Sequence, residues 1–398
     1  MTTSRRDFVK LGAVAGGVAL GLGATGTAHA GVEREIEAKE RTDWSVAVVE
    51  STMKRYTPET FGGWGYTRGL FLYGQYLVYK RTGNKAYLDY VKAWYDRFVK
   101  PDGTMDRSFT NLDAMRSGQM FPILHSETGD ARYRTASQQI RAKLNTYKRT
   151  KEGGFWHAES GTRDWQLWSD GVYMVVPFIM KHGVAFGEQH WAYTEAVRQL
   201  LVYARNLQNP NGLFHHAFDE SRQTPWSDKQ TGRSAYFWGR AMGWYAMTVI
   251  EVLEDLPGHH PDRQKLIDVL RRLVRGIAQH QDASTGRWFQ VVDKGGDSAN
   301  WTETSCTSMY AFAISRGIQR GYLSPSYNGV ARKGYAGVLD RMSLDGEGLT
   351  SLAEICIGTN VGDLPFYYER PRAVNDFHGL GAFLIMNEQL RARNGFVG

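Results

Sequence analysis

One unit recurs along the chain: an apolar helix rich in Gly and Ala, a tight turn, and an amphipathic helix. The first copy turns at Thr82–Asn84 and the second at Thr128–Asp130. Later copies and the last helix begin near Trp168, Phe237, Thr304 and Asn375. Together with the segment from Trp44 to Tyr56, this pattern predicts about a dozen helices. Helix pairs of this kind either stack into an open solenoid or close into a ring.

Two features of the repeat favour the ring. The copies are unevenly spaced, whereas a solenoid has a regular period. The first helix of most pairs is apolar on more than one side, so it needs neighbours on several sides. We therefore predict an all-α fold, a closed barrel of six helix pairs in which amphipathic outer helices surround apolar inner ones.

The connections between the pairs contain short aromatic stretches, "GGFWHAE", "NGLFHHAFDE" and "GRWFQVVDK", which predict β-hairpins. Each stretch leads towards the next inner helix, so all inner helices should begin at the same end of the barrel. The polar and aromatic residues expected there are Tyr66, Asp113, Asp170, Arg240, Glu303 and His378. A concave site into which helix N-termini point favours an acidic ligand.

The first thirty residues have the features of a twin-arginine export signal. Arg5–Arg6 precede Phe8, a weakly apolar run extends from Leu11 to Ala24, and "AHA" completes a cleavage pattern at Ala30. The run is too short and too rich in Gly for a stable membrane span. No later segment has the roughly 18 uncharged apolar residues that a span needs.

These features divide the chain into three parts. We predict a signal peptide at residues 1–30, a charged lead-in at 31–43 and a single catalytic domain at 44–398. The protein is expected to meet the twin-arginine translocase during export and to reach the periplasm or the cell exterior.

Composition argues against several kinds of partner. The net charge is +7, but the basic residues are scattered and do not form the aromatic-interleaved runs typical of nucleic-acid binding. The only cysteines, Cys306 and Cys356, either pair in an oxidising compartment or remain buried thiols. The sequence contains no CxxC, HExxH or P-loop motif. We therefore predict no metal and no cofactor.

Asp170 is the most informative single residue. The stretch from Arg163 to Met180 predicts one helix that is apolar almost all round, with Asp170 in its first turn. Apolar burial beside a second carboxylate raises the pKa of an Asp more than a helix dipole lowers it. We therefore predict that Asp170 keeps its proton near neutral pH and acts as a general acid. Asp113 occupies the corresponding position on the preceding inner helix, and helix capping is the alternative for both.

Two further motifs are candidates for substrate recognition. Arg240 is framed by Trp238 and Trp244 in "YFWGRAMGWYAM". Its guanidinium suits bidentate capture of a carboxylate, with Trp244 as a platform for a sugar ring, although a Trp-flanked Arg also stacks at the rim of a core. In the His215–His216 pair, strand alternation directs one ring to the open end and the other to solvent.

Five motifs in order carry a resemblance to a known family: "WQLWSDGVYM", "FWGRAMGWYAM", "ETSCTSMYAFAISRGIQRGYL", "GTNVGD" and "RAVNDFHGLGAFL". From about Trp44 to Leu390 the chain resembles the unsaturated rhamnogalacturonyl hydrolases, glycoside hydrolase family 105, which are relatives of the unsaturated glucuronyl hydrolases of family 88. The resemblance implies an (α/α)6 barrel. It also implies removal of the 4,5-unsaturated uronic acid that polysaccharide lyases leave on rhamnogalacturonan- or ulvan-type oligosaccharides.

The resemblance also assigns site residues. It places the acid at Asp170, within a motif that includes Trp168 and Met174, and the second carboxylate at Asp113. The positions that it implies for substrate contact are Tyr66, His157, Trp168, Met174, His216, Trp238, Arg240 and Trp244. Met242 and Cys306 replace the family's usual Asn and Gly. Both replacements are expected near the open end, where they affect subsite preference.

The vinyl ether of such a substrate suggests hydration. Asp170 protonates C4, a water adds at C5, and either Asp170 or Asp113 accepts the water's proton. One alternative is another sugar enzyme on the same barrel, either a saturated-glycoside hydrolase with Glu303 as its second acid or an epimerase that uses mouth histidines (His157, His216 and His378). The other alternative is a non-catalytic periplasmic oligosaccharide-binding protein.

Overall fold

In the computed structural model of the chain, helices dominate the described residues, which are 42–159 and 161–393. The predicted signal and the lead-in up to residue 41 lie outside them. The described residues from 43 to 393 form one compact unit. The described helices are α1 (Trp44–Arg55), α2 (Tyr66–Thr82), α3 (Lys85–Asp96), α4 (Met120–Thr128), α5 (Ala131–Leu144), α6 (Gly171–Phe186), α7 (Gln189–Leu207), α8 (Gly239–Asp255), α9 (Arg263–Gln279), α10 (Thr304–Gln319), α11 (Asn328–Leu339), α12 (Leu364–Tyr368) and α13 (Phe377–Arg393).

Six of these helices form a closed inner ring: α2, α4, α6, α8, α10 and α13. From α4 to α13 each packs against the next around the ring, and α13 packs against α2. Because α4 is short, the 3₁₀ turn Arg116–Gln119 ahead of it fills much of the space between α2 and α6. The outer layer consists of α1, α3, α5, α7, α9 and α11. The chain therefore folds as the predicted (α/α)6 barrel.

Apolar patterning explains which helices are inner and which are outer. In α6 every residue from Gly171 to Met180 is buried, as expected of a helix that is apolar all round. In α9 the buried positions include Leu266, Leu270 and Leu273, which lie on one face of a polar helix. Burial of each such side chain contributes about 1.5–3 kcal/mol.

The turns within the first two pairs form as the repeat predicts. Gly83 and Gly129 end α2 and α4 with φ of 70° and 71°, a left-handed conformation that favours glycine. The next residues, Asn84 and Asp130, cap α3 and α5 with their side chains.

Short strands lie in the connections between the helices. They are β1 (Gln166–Trp168), β2 (Ala217–Asp219), β3 (Trp288–Phe289), β4 (Thr302–Glu303), β5 (Met342–Leu344), β6 (Thr350–Leu352), β7 (Ile355–Cys356) and β8 (Arg372–Ala373). They form four antiparallel pairs in chain order. In the first pair Trp168 lies opposite Ala217.

Two expectations about these loops were wrong in detail. The stretch from Arg163 is not one helix, because Gln166–Trp168 is a strand and α6 begins only at Gly171. In addition, the strand in "NGLFHHAFDE" does not pair within a local hairpin. It pairs with β1, about 50 residues earlier in the chain.

The ring is sealed where the first and last described helices meet. Asn387 on α13 donates from Nδ2 to Ser45 Oγ on α1 at 2.7 Å. Arg81, at the end of α2, is bonded to both Asp43 and Glu388. The outer partner of the last inner helix is therefore α1, the first helix of the described residues. Among the described residues, none of the helices has the length and apolarity that crossing a membrane demands.

Candidate active site

The beginnings of the inner helices meet at one end of the barrel, which we call the mouth. Tyr66 is the first residue of α2, and Arg240 and His378 are the second residues of α8 and α13. Asp113 lies in a 3₁₀ turn ahead of α4, and Asp170 immediately precedes α6. These groups influence one another electrostatically. Burial, and after it the charge of Asp113, raise the pKa of the Tyr66 hydroxyl far above its usual range.

Asp113 and Asp170 are grouped with His157. One oxygen of each carboxylate and one nitrogen of His157 all lie within 4.8 Å of one another. His157 Nε2 is 3.6 Å from Asp113 Oδ2. Asp170 makes no side-chain cap to α6, and the turn that contains Asp113 is capped by Asn111, which accepts from Ala114 N at 2.8 Å. Neither carboxylate therefore makes a side-chain capping hydrogen bond, although Asp170 occupies the N-cap position of α6.

The surroundings of the two carboxylates drive their pKa values in opposite directions. Burial raises the pKa of Asp170, and the charge of Asp113 adds to the effect, against the opposing influence of His157. Burial would also raise the pKa of Asp113, but His157, Arg163 and His378 together hold it below its ordinary value. Asp170 therefore holds its proton to higher pH than Asp113 does.

An aromatic wall runs beside the carboxylate pair. His157 stacks on Trp168 with ring centroids 4.5 Å apart and planes 12° apart. His216 meets the edge of Trp168 at 5.5 Å and lies 4.5 Å from Trp238. The β1–β2 pairing fixes this wall, because Trp168 ends β1 and His216 directly precedes β2. All four side chains are predicted site residues, and the structure brings them together.

His216 is buried and directed at Asp170. Burial lowers its pKa well below the usual value, so its ring is neutral. The Tyr367 hydroxyl lies 2.7 Å from His216 Nδ1 and accepts from Gly362 N. The other ring nitrogen of His216, Nε2, is 3.9 Å from Asp170 Oδ1. His215 does not point into solvent as predicted, because its Nδ1 lies 2.6 Å from the Ser234 carbonyl oxygen.

Tyr66 is held by a chain of two short contacts. Its hydroxyl is 2.5 Å from His378 Nε2, and His378 Nδ1 is 2.5 Å from Asp376 Oδ1. The carboxylate of Asp376 can only accept, so His378 carries its proton on Nδ1 and accepts the Tyr66 proton on Nε2. This leaves the lone pairs of Tyr66 available as acceptors at the mouth.

Arg240 is in the site but does not present its guanidinium as predicted. Its side chain is 1% exposed. Its terminal nitrogens donate to the carbonyls of Cys356 at 2.5 Å and Ile357 at 2.7 Å, and the guanidinium lies 4.6 Å above the Trp238 ring. Bidentate capture of a substrate carboxylate is therefore wrong for this geometry. Arg240 instead anchors the loop after β7 and adds positive charge beneath the mouth.

Several other predicted residues lie deeper than expected. Trp244 is 2% exposed and stacks on Tyr173 at 4.8 Å, so it packs in the core instead of offering an open platform. Met174 is also buried. Met242 and Cys306, expected at the mouth, are fully buried. The two cysteines are unpaired and buried.

Glu303 has a structural role. It is fully buried, and its carboxylate accepts from Ser305 N, Cys306 N and Cys356 N at 2.7–2.9 Å. These bonds cap α10 and hold β7. The prediction of Glu303 as a second catalytic acid is therefore wrong. The alternative of a saturated-glycoside hydrolase loses the second acid that it required.

Sequence reasoning missed three residues at the mouth: Arg163, Tyr367 and Asp376. Asp376 had a local signal, since it precedes His378 by two residues at a helix start in "NDFHG". Arg163 and Tyr367 had none, because Arg163 reaches the site from the turn before β1 and Tyr367 reaches it from the short helix α12. As for metals, Asp113, His157 and Asp170 each offer one ligand atom in a group that could hold a cation. The expected absence of a metal stays a prediction.

Comparison with known proteins places this geometry in context. The profile described as Glycosyl Hydrolase Family 88 matches residues 44–392. The structure of a family 105 glycoside hydrolase from C. acetobutylicum ATCC 824 is 34% identical, with a TM-score of 0.83 over 88% of this chain and 100% of that one. The unsaturated rhamnogalacturonyl hydrolase YesR of Bacillus subtilis is 27% identical over 79% of this chain and 85% of its own length. Protein Atu3128 of Agrobacterium fabrum is 30% identical over 53% of this chain and 96% of its own length.

Proposed function

Because the chain belongs to glycosyl hydrolase family 88, we propose that it removes a 4,5-unsaturated uronic acid from the non-reducing end of oligosaccharides produced by polysaccharide lyases. Rhamnose is the proposed neighbouring sugar, as in rhamnogalacturonan- or ulvan-type fragments. The name of YesR and the family 105 relative support this choice.

The observation that carries the proposal is the split carboxylate pair. Hydration of a vinyl ether needs a proton donor for C4 and an acceptor for the proton of the attacking water. The raised pKa of Asp170 suits the donor, and the lowered pKa of Asp113 suits the acceptor. The two groups lie close enough to act on adjacent carbons of one ring.

The proposed reaction proceeds in three steps. Asp170 transfers its proton to C4 while water oxygen bonds to C5, and Asp113 takes a proton from that water. The resulting hemiketal opens to a ketone at C5, which leaves a hemiacetal at C1. That hemiacetal collapses to an aldehyde and releases the aglycone, and proton exchange with solvent restores both carboxyl groups.

The surrounding residues support this assignment. His216 directs its Nε2 towards Asp170, and the acceptor lone pairs of Tyr66 suit a hydroxyl of the sugar or the attacking water. The aromatic wall of His157 and Trp168 excludes bulk water from one side, which strengthens these interactions.

Asp170→Asn tests the proposal most directly. We expect kcat on an unsaturated rhamnogalacturonan disaccharide to fall by about 10²–10⁴-fold, the usual contribution of general acid catalysis. The loss of the ultraviolet absorbance of the conjugated enol is the measurement. Asp113→Asn should cause a loss in the same range.

Asp106→Asn is the matched control, since Asp106 is 83% exposed and pairs only with Lys100. It should retain wild-type kcat. Near wild-type turnover by Asp170→Asn would show that another group supplies the proton. Turnover of saturated but not unsaturated uronides by the wild type would show that the substrate class is wrong.

We also propose export by the twin-arginine translocase, to the periplasm or beyond the cell, on the basis of Arg5–Arg6 and the segment that follows. Such a location suits an enzyme that acts on oligosaccharides released from extracellular polysaccharides.

A further inference from the structure

A groove of about 480 Å³ opens beside the carboxylate pair. Its walls come from three separate loops, and the residues used below are Arg163, Trp168, Trp226 and Asn360. Arg163 and Trp168 also border the candidate active site, since Trp168 stacks on His157 and Arg163 approaches Asp113. The groove is therefore continuous with the place where the reaction would occur.

Arg163 is positioned by two contacts that leave part of its guanidinium uncommitted. The guanidinium lies 4.4 Å from the centre of the Trp168 ring, and Nη2 donates to Asn360 Oδ1 at 2.7 Å. Nη1 is 3.9 Å from Asp113 Oδ2, which is too far for a hydrogen bond. The side chain is 32% exposed. Arg240, by contrast, is buried and bonded to backbone carbonyls.

We propose that Arg163 binds the carboxylate of the unsaturated uronate and that the adjoining groove holds the sugar attached to it. The inference rests on the proposed function. The planar guanidinium of Arg163 presents its N–H groups in a fork that matches a carboxylate. The uronate carboxylate is bonded to C5, so binding at Arg163 directs C5 and C4 towards Asp113 and Asp170. The half-buried Trp226 gives the attached sugar an apolar face to pack on.

The experiment removes each charge of the proposed pair separately. One substrate is an unsaturated disaccharide with a free uronate, and the other is the methyl ester of that uronate. Wild type, Arg163→Gln and Arg222→Gln are compared by kcat/KM on both. Arg222 is exposed on the neighbouring loop and does not line the groove, so it is the matched control.

In the wild type and in Arg222→Gln, we expect the ester to be poorer than the free acid by about ten- to hundredfold, mainly through KM, because a hydrogen-bonded charge pair is lost. In Arg163→Gln, kcat/KM for the free acid should fall by the same factor. The kcat/KM values of this variant for the acid and the ester should then agree within about twofold, since the partner of the carboxylate has been removed. Arg163→Lys, which keeps the charge without the planar fork, should give an intermediate ratio.

The outcomes separate the two proposals. An active Arg163→Gln variant that still prefers the free acid by the wild-type factor would overturn the role of Arg163, because another cation must then bind the carboxylate. Should wild type consume neither substrate, the proposed function itself would fail. Circular dichroism confirms folding, and Arg163→Lys gives the same test if Arg163→Gln does not fold.

Discussion

At the residue scale, Asp113 and Asp170 show how neighbours give one side chain two chemical roles. Both are carboxyl groups at the start of inner helices, yet burial raises the pKa of Asp170, whereas at Asp113 the neighbours His157, Arg163 and His378 outweigh burial and lower the pKa. The split depends on which groups approach from other loops. It is therefore a property of the fold and not of the local sequence.

This split predicts a bell-shaped dependence of kcat/KM on pH. Activity requires ionised Asp113, so it is lost as pH falls through the lowered pKa, below the ordinary Asp value of 3.8. Activity also requires protonated Asp170, so it is lost as pH rises through the raised pKa. The two limbs belong to the coupled pair. Initial rates over a range of buffers measure both limbs, and activity that stays constant well into alkaline pH would contradict the role of Asp170.

The sequence located much of the site but not its detailed contacts. Asp113 and Asp170 were found because polar residues at the starts of apolar helices are a local signal. His216 was distinguished from His215 only by the family resemblance. Tyr367, which bonds to His216 from 151 positions away, could not be found from one sequence. The roles of Arg240 and Trp244 were misjudged because adjacency in a motif does not reveal which way a side chain points.

At the element scale, features set by nearby residues were predicted and features set by distant pairing were not. The turns at Gly83 and Gly129 followed from local capping chemistry. The sequence pattern predicts helix at Gln166–Trp168, where the structure has a strand, because a short apolar run fits a buried strand or a buried helix equally well. Pairing with Ala217–Asp219 decides between them, and that pairing is not visible in the local pattern.

Close packing of the inner helices makes a second prediction at this scale. A Cβ added at Gly381 on α13 would lie 2.5 Å from Leu70 Cγ and 2.8 Å from the Phe71 backbone nitrogen on α2. Gly381→Ala should therefore destabilise the fold by about 1–3 kcal/mol, the usual effect of overpacking. A lowered Tm in a thermal melt is the measurement.

The outer helices provide the control. A Cβ at Gly329 on α11 meets nothing within 4 Å, and Ala has the higher helix propensity. Gly329→Ala should therefore leave Tm unchanged or slightly raised. Equal Tm values for Gly381→Ala and wild type would show that α2 and α13 are less closely packed than described here.

At the scale of the whole molecule, the uneven repeat was sufficient to predict a closed barrel, because apolar inner helices need neighbours on every side. It was not sufficient to predict how the ring closes. The pattern predicts a helix in the segment Trp44–Tyr56 but does not indicate its packing partner. In the structure it is α1, the outer partner of α13, and no local pattern pairs segments more than 300 residues apart.

Export is the prediction that concerns the full chain. Replacing Arg5 and Arg6 together by Lys should abolish passage through the twin-arginine translocase, which requires the arginine pair. We expect the variant to accumulate in the cytoplasm while the parent protein leaves it, as measured by fractionation and immunoblotting. Fusion of residues 1–43 to a folded reporter provides the reciprocal test, and efficient export of the double Lys variant would refute this route.

The meeting of α1 with α13 has a consequence for how the protein is made. Of the described helices, α1 is synthesised first and α13 last. The packing partner of α1 is therefore absent during most of translation. Until then the inner faces of α2 and α10 also lack the helix that separates them. The nascent chain therefore exposes hydrophobic surface for many seconds, and we expect chaperones to bind it during synthesis.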